Sequence, residues 1–238
     1  MLTDAGFLAL SYAVAVIATI AGFGSSTLLI PAALMFMDAK TAVVLIACFH
    51  LFNNIFKVKF FWSRINFRIV ILFGVPSIIF AFAGAMLISI APAAALKKAI
   101  AVFLIIFALY SFLNPEFRFR QNRVTAIAGG SLSGLLAGLI GLGGAIRSAF
   151  LIAFNLPKEA YVATGAMIAF VIDLIRIPTY LFTKVVHDPS YYILLPFLLF
   201  SAYLGVKTGR ILLEKINREP FKKIVLIALL LVGINLLT

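Results

Sequence analysis

The chain has 238 residues, of which 64% are hydrophobic and only 12% charged, with a mean hydropathy of +1.16. A soluble domain runs at about 45–50% apolar and about 25% charged, so this composition excludes one and leaves no room for a second, soluble domain. The formal net charge is +12, but the cations fall in short loops between apolar stretches, the positive-inside pattern of membrane proteins rather than a nucleic-acid-binding face.

Residues 5–20 are apolar and helical in character. Asp4 is the first charge and no basic region precedes it, so this stretch is expected to stay in place rather than act as a cleaved signal peptide. A break comes next at 22–26 (Gly22, Gly24, Ser25), then an apolar piece at 27–37 containing Pro31. At about 16 Å this piece is too short to span a bilayer. Residues 40–61 are long enough. Trp62, Arg64 and Arg68 suit an interfacial anchor and a cytoplasmic loop. Spans at 67–90, with Gly74 and Pro76 as sources of a kink, and at 94–113 complete the first half. Residues 114–123 are the most polar of the chain, with Pro115, Arg118, Arg120 and Arg123, and read as a cytoplasmic linker between repeats at 1–113 and 124–238.

The second half has the same plan. Residues 124–140 carry Gly130, Gly134 and Gly138 at the spacing of close helix packing. A break at 141–144 (Gly141, Gly143, Gly144) leads into a short piece at 145–155. Spans at 157–182, 191–213 and 221–237 complete it, with a turn at His187-Asp188-Pro189 and a charged loop at 214–219. A shift of 119 residues overlays the halves: Gly22 falls on Gly141, Gly24 on Gly143, Asp38 on Pro157, Asn54 on Asp173 and Lys57 on Arg176. An internal duplication is the most economical account.

Charge suggests the sense of the repeat. If each broken segment enters and returns to its own side, each half crosses three times and the second half is inverted. Thirteen basic residues then lie on one side and four on the other (Lys40, Lys97, Lys98, Lys184), with Lys57, Arg147 and Arg176 inside the membrane. The expected fold is an all-α membrane protein of two inverted repeats, each a glycine-broken re-entrant segment followed by three transmembrane helices, with both termini outside.

Intramembrane ionisable residues are expensive and mark function by default. Arg147 lies just past the second break, and its fork of donors suits an oxyanion such as a sulfonate, sulfite or carboxylate. The helix ends freed by the breaks favour anions too. The structural alternative is that Arg147 ties down broken-backbone carbonyls. Asp173 and Arg176, at i and i+3, share a helix face. They form either a self-neutralising pair or an arginine oriented towards an anion, with Pro178 loosening the helix beyond. Asn54 and Lys57 are their mates in the first half. Asp173 and His50 are the proton-coupling candidates, and Ser148 and Thr164 are weaker candidates for hydrogen bonds to a substrate. The one cysteine, Cys48, excludes an intrachain disulfide and a multi-cysteine metal site. No paired acids, Walker loop or HExxH motif points to an enzyme, and nothing calls for a cofactor.

At these motifs the sequence resembles a known family. Gly22-Phe23-Gly24 with Pro31, and the run from Ser133 to Gly144, look like the duplicated signature of the sulfite exporter TauE/SafE family. Thr164-Gly165-Ala166 and Asp173-Leu174-Ile175-Arg176-Ile177-Pro178 are similar to the segment after the second signature in one branch of that family. The resemblance implies a secondary transporter of the inner membrane for sulfite, organosulfonates or other small anions. Ser25 and Ser26 replace further glycines of that pattern, and Arg147 stands where apolar residues are common. The expected function is therefore anion transport by alternating access, ion- or proton-coupled, with no partner beyond substrate, lipid and a possible second copy. A passive anion channel and a non-transporting membrane subunit are the alternatives.

Overall fold

The computed structural model describes residues 4–22, 24–35, 37–114, 119–186, 189–213, 215–216 and 218–237. Phe23 of the first break, Pro115 and Arg118 of the linker, His187 and Asp188 of the turn and Glu214 of the last loop lie outside them. The described residues form helices and turns: α1 (Asp4–Ala21), α2 (Ser25–Ala33), α3 (Ala39–Phe60), α4 (Phe67–Ile90), α5 (Ala93–Leu113), α6 (Arg123–Ile140), α7 (Gly143–Leu151), α8 (Lys158–Phe182), α9 (Leu195–Leu213) and α10 (Arg218–Leu237). Six are long and apolar enough to cross a membrane: α3, α4, α5, α6, α8, and α9 with the 3-10 turn before it. The described apolar parts of α1, α7 and α10 are shorter. This is a multi-pass, all-helical membrane protein.

Helix starts obey local chemistry. Asp38 accepts from the backbone N–H groups of Lys40 and Thr41 and so caps α3. Asn66 caps α4 through the N–H of Ile69, and Asn122 caps α6 through that of Thr125. Both breaks are narrower than the sequence suggests. Gly22 and Gly24 have φ of 78° and 83°, and Gly141, the left-handed cap of α6, has 74°. Those are conformations that glycine adopts without strain. Ser25 and Gly143 already begin the next helix, so Gly143 and Gly144 lie in its first turn rather than in the break.

After Gly141 the chain turns back. Ser133 Oγ donates to the carbonyl of Gly143 at 2.9 Å, and a Cβ on Gly129 would press on the Phe150 ring. Gly143 therefore lies beside the middle of α6 and Phe150 beside its start, which makes α6 and α7 an antiparallel hairpin. Phe150 also stacks on Phe119, ahead of α6, with 4.0 Å between centroids.

Packing obeys the 119-residue shift. α4 lies against α6 and α8, while α9 lies against α1 and α3. The shift exchanges these two sets. α3 meets α8, α5 meets α10 and α2 meets α7, each being the shift-mate of the other. The closest contact is α4 on α6. A Cβ on Gly130, Gly134 or Gly138 would lie 2.3, 2.2 or 2.2 Å from the carbonyl oxygens of Phe73, Ser77 and Ala81. One four-residue ladder thus meets another, backbone to backbone, as small-residue spacing permits. The opposite face of α4 (Ile71, Val75, Ile79, Phe82, Met86, Ile90) is apolar and exposed, the mark of a face meant for lipid. α3 and α8 are the most enclosed of the six long helices.

Arg64, Arg68, Arg123, Lys207 and Arg210 lie at one end of the bundle. Arg64 pairs with Glu159 at 2.8 Å. Arg68 and Arg123 share one groove, Lys207 and Arg210 line another with Glu159, and Arg210 stands over the rings of Phe60 and Phe61. At the far ends of α3 and α4, Lys40 Nζ donates to the carbonyl of Ser89.

The α4–α6 ladder gives a direct test. Gly134→Ala should cost at least about 1 kcal/mol by overpacking, read as a lower melting temperature in detergent. Gly74→Ala, whose Cβ would sit 3.6 Å from Val171, should stay within about 0.5 kcal/mol of wild type. Equal melting of all three proteins would refute this packing.

Candidate functional site

The two breaks meet. A Cβ on Gly24 would stand 3.3 Å from Gly144 Cα, 3.4 Å from Arg147 Nη2 and 3.4 Å from His50 Nε2. Ser148 Oγ lies between the carbonyl oxygens of Gly22, at 2.6 Å, and Gly144, at 2.7 Å, and its single proton serves one or the other. Tyr161 OH donates to the carbonyl of Ser148, and its ring fills the space where Gly22 lacks a side chain. The short helices α2 and α7 both start at this crossing, and neither has a side-chain cap. The first N–H groups of a helix lack intrahelical partners and carry the positive end of its dipole; here that of Ala145 turns back to the Leu142 carbonyl at 3.3 Å.

A cavity of about 20 Å³ lies here, lined by Ala18, Gly22, Gly24, Asn54, Lys57, Arg147, Ser148, Leu151, Tyr161, Val162, Gly165 and Ala166. That is room for a water molecule, so a larger anion requires the walls to part. Lys57 and Arg147 are each 4% exposed. Lys57 Nζ donates weakly to the carbonyl of Ala18 at 3.4 Å. Among the described residues neither cation is in an ion pair; the pairs are His50–Asp173, Arg64–Glu159 and Arg176–Asp173.

Arg176 is placed differently. Its Nε donates to Asp173 Oδ1 at 2.8 Å and its Nη1 to the carbonyl of Ala137 at 2.7 Å. Tyr180 OH donates to the neighbouring carbonyl of Gly138 at 2.6 Å. Both carbonyls lie at the end of α6, and that of Ala137 also accepts from the N–H of Gly141 at 3.2 Å. Nη1 also lies 3.8 Å from where a Cβ of Gly141 would be. Arg176 is thus bound to the second break and does not line the cavity. Asp173 Oδ2 takes His50 Nδ1 at 2.8 Å and Asn54 Nδ2 at 3.4 Å. With Asp173 ionised the shared proton belongs to Nδ1, which leaves Nε2 of a neutral His50 facing Gly24 as an acceptor.

Of the residues singled out in the sequence, Gly22, Gly24, Asn54, Lys57, Arg147 and Ser148 line the cavity. Asp173, Arg176, Gly141 and His50 form the adjoining network, and Gly143 and Gly144 begin α7. Thr164 lies apart: its Oγ1 accepts from the N–H of Asn66. Sequence reasoning missed Tyr161, whose ring packs on Gly22 and whose hydroxyl donates to the Ser148 carbonyl within α7, and Tyr180, whose hydroxyl donates to the carbonyl of Gly138 at the end of α6. Tyrosine in an apolar span was the only available signal. It did not single out Asn53, and it noted Ser26 only as a replacement for a glycine. Ser25 Oγ, Ser26 Oγ and both amide atoms of Asn53 are buried with no hydrogen-bond partner; Ser25 follows the cavity-lining Gly24 in the chain and Asn53 precedes the cavity-lining Asn54.

The two cation groups make opposite demands on stability. Asp173→Ala strands Arg176 and His50 and should cost about 3–5 kcal/mol. Arg147→Met keeps the bulk of the stem and removes an unpaired charge, so without added anion it should melt at or above the wild-type temperature. Melting curves of both variants check this, and an Arg147→Met protein as damaged as Asp173→Ala would show that Arg147 is a structural tie.

A search of the curated proteins finds no match. The family profile described as "Sulfite exporter TauE/SafE" matches residues 7–236, nearly the whole chain. The protein belongs to the sulfite exporter TauE/SafE family.

Proposed function

We propose that this protein carries small oxyanions across the inner membrane by alternating access, with the cavity at the first break as the binding site. One observation carries the reading: Lys57 and Arg147, buried and unpaired, face that cavity. Charge at membrane depth is costly and persists where it serves a path or a ligand. The N-termini of α2 and α7, which have no side-chain cap, start beside this cavity and favour an anion, and membership in a sulfite exporter family supports sulfite as a candidate substrate.

In this mechanism the anion enters from one side, the walls around Gly24 and Arg147 part to admit it, and its oxygens replace the water. Arg147 and Lys57 bind it, Ser25 and Asn54 donate to it, and Gly22, Gly24, Gly143 and Gly144 allow the backbone to come close. Arg176 and Asp173 hold the second break shut and give the two halves a rigid contact to rock against. His50 and Asp173 are the proton carriers, joined by the bond at Nδ1. The repeats are inverted, the cation-rich end of the bundle faces the cytoplasm, and both termini lie outside.

Counterflow in proteoliposomes tests this. Vesicles loaded with unlabelled sulfite should accumulate labelled sulfite transiently above equilibrium. Arg147→Ala should cut that uptake at least about tenfold, the scale of losing one buried charge-assisted hydrogen bond. Flux without overshoot would replace the carrier with a channel. No flux with any small anion would leave the non-transporting subunit.

A further inference from the structure

We propose that the groove between the starts of α4 and α6 binds the phosphate of an anionic phospholipid headgroup. This site is separate from the central cavity and does not depend on what that cavity carries.

The groove measures about 260 Å³, against about 20 Å³ at the centre. Arg68, in the first turn of α4, and Arg123, in the first turn of α6, both line it. Two cations nearby are already engaged: Arg64 is held by Glu159 at 2.8 Å, and Arg210 stands over the rings of Phe60 and Phe61. Arg68 and Arg123 are in no ion pair among the described residues, and none of the described residues lining the groove is an acid. Asn66 and Asn122 line it too. Each spends its side-chain oxygen on a helix start, accepting from the N–H of Ile69 at 3.2 Å and of Thr125 at 2.7 Å. That leaves the NH₂ group of each as a donor. Two guanidinium forks and two amides thus form a donor set suited to the charged oxygens of a phosphodiester.

The surroundings favour a lipid over free phosphate. Ile69, Leu72 and Phe154 give the groove an apolar wall. Arg68 shares a helix face with Ile71, Leu72 and Val75, and Arg123 shares one with Ile127. Ile71, Val75 and Ile127 are exposed. Each arginine therefore stands at the head of an apolar stripe that runs on along its helix. Trp62 and Phe67, both exposed, pack edge to face with 5.8 Å between centroids. Aromatic residues so placed mark the headgroup level, and Phe67 directly precedes Arg68. Free phosphate would use the cations and leave the stripes without a partner. A phospholipid meets both, as in other basic pockets between transmembrane helices.

Native mass spectrometry of the delipidated protein in detergent makes the test, with phosphatidylglycerol and phosphatidylcholine of the same acyl chains. Both carry a phosphodiester, but choline adds a cation that the arginines repel. Phosphatidylglycerol should bind at least about tenfold more tightly. Arg68→Gln with Arg123→Gln should narrow the ratio to within about twofold. Both arginines are exposed, so this variant should melt with the wild type when no lipid is added. Lys97→Gln with Lys98→Gln, which removes the same charge from the exposed start of α5, should keep the preference. A large excess of inorganic phosphate should leave the lipid bound. Equal binding of the two lipids by wild type, an unchanged preference in the arginine variant, or an equal loss in the lysine variant would overturn the assignment. Displacement by inorganic phosphate would overturn the lipid in favour of a free anion.

Discussion

The structure depends on one constraint: two glycine breaks touch at the centre of the protein, Gly24 against Gly144. A side chain at Gly24 would crowd Gly144, Arg147 and His50, and its φ of 83° suits glycine alone among common residues. The contact brings the starts of α2 and α7 together and places a cation from the second half on the break of the first. Broken backbone at membrane depth is stable only where protein or a cavity surrounds it. The crossing supplies both, through the Ser148 hydroxyl between two carbonyls and the small cavity beside them.

The repeat is symmetric in its packing and asymmetric in its chemistry. Exchange of the halves maps the contacts of α4 onto those of α9. It maps Lys57, whose hydrogen bond to the Ala18 carbonyl is long, onto Arg176, which an acid and a carbonyl hold at 2.8 and 2.7 Å. A buried ion pair is a closed unit, costly to break and of little use to a ligand. In two halves that pack alike, Asn54 stands against Asp173 and Leu28 against Arg147, and one break has an open cavity beside it while the other is tied to Arg176.

Much of this was legible in the residues. Glycine inside apolar runs marked both breaks, the spacing of Gly130, Gly134 and Gly138 marked a close helix contact, and the rarity of charge singled out Lys57, Arg147, Asp173 and Arg176. The i, i+3 spacing left open whether Asp173 neutralises Arg176 or orients it towards an anion, and only the placement of the Ala137 carbonyl shows where the arginine points. The partners of the breaks were not legible either. Periodicity says which face a residue occupies but not what lies across from it, so the roles of Tyr161 and Tyr180 and the approach of Arg147 to Gly24 needed the fold. The exact extent of the breaks was hidden for a simpler reason: Gly143, Gly144 and Ser25 are compatible with a helix start as well as with a turn.

The proposed function turns on an anion bound at the first break between Lys57 and Arg147. Its most direct test is a crystal structure with selenate, a heavier analogue of sulfate, located by the anomalous scattering of selenium. One selenium site per chain is expected within hydrogen-bonding reach of Arg147 and Lys57, beside Gly24, with the walls of the cavity moved apart. A selenium site at Arg176 and Gly141, or none inside the protein, would contradict it.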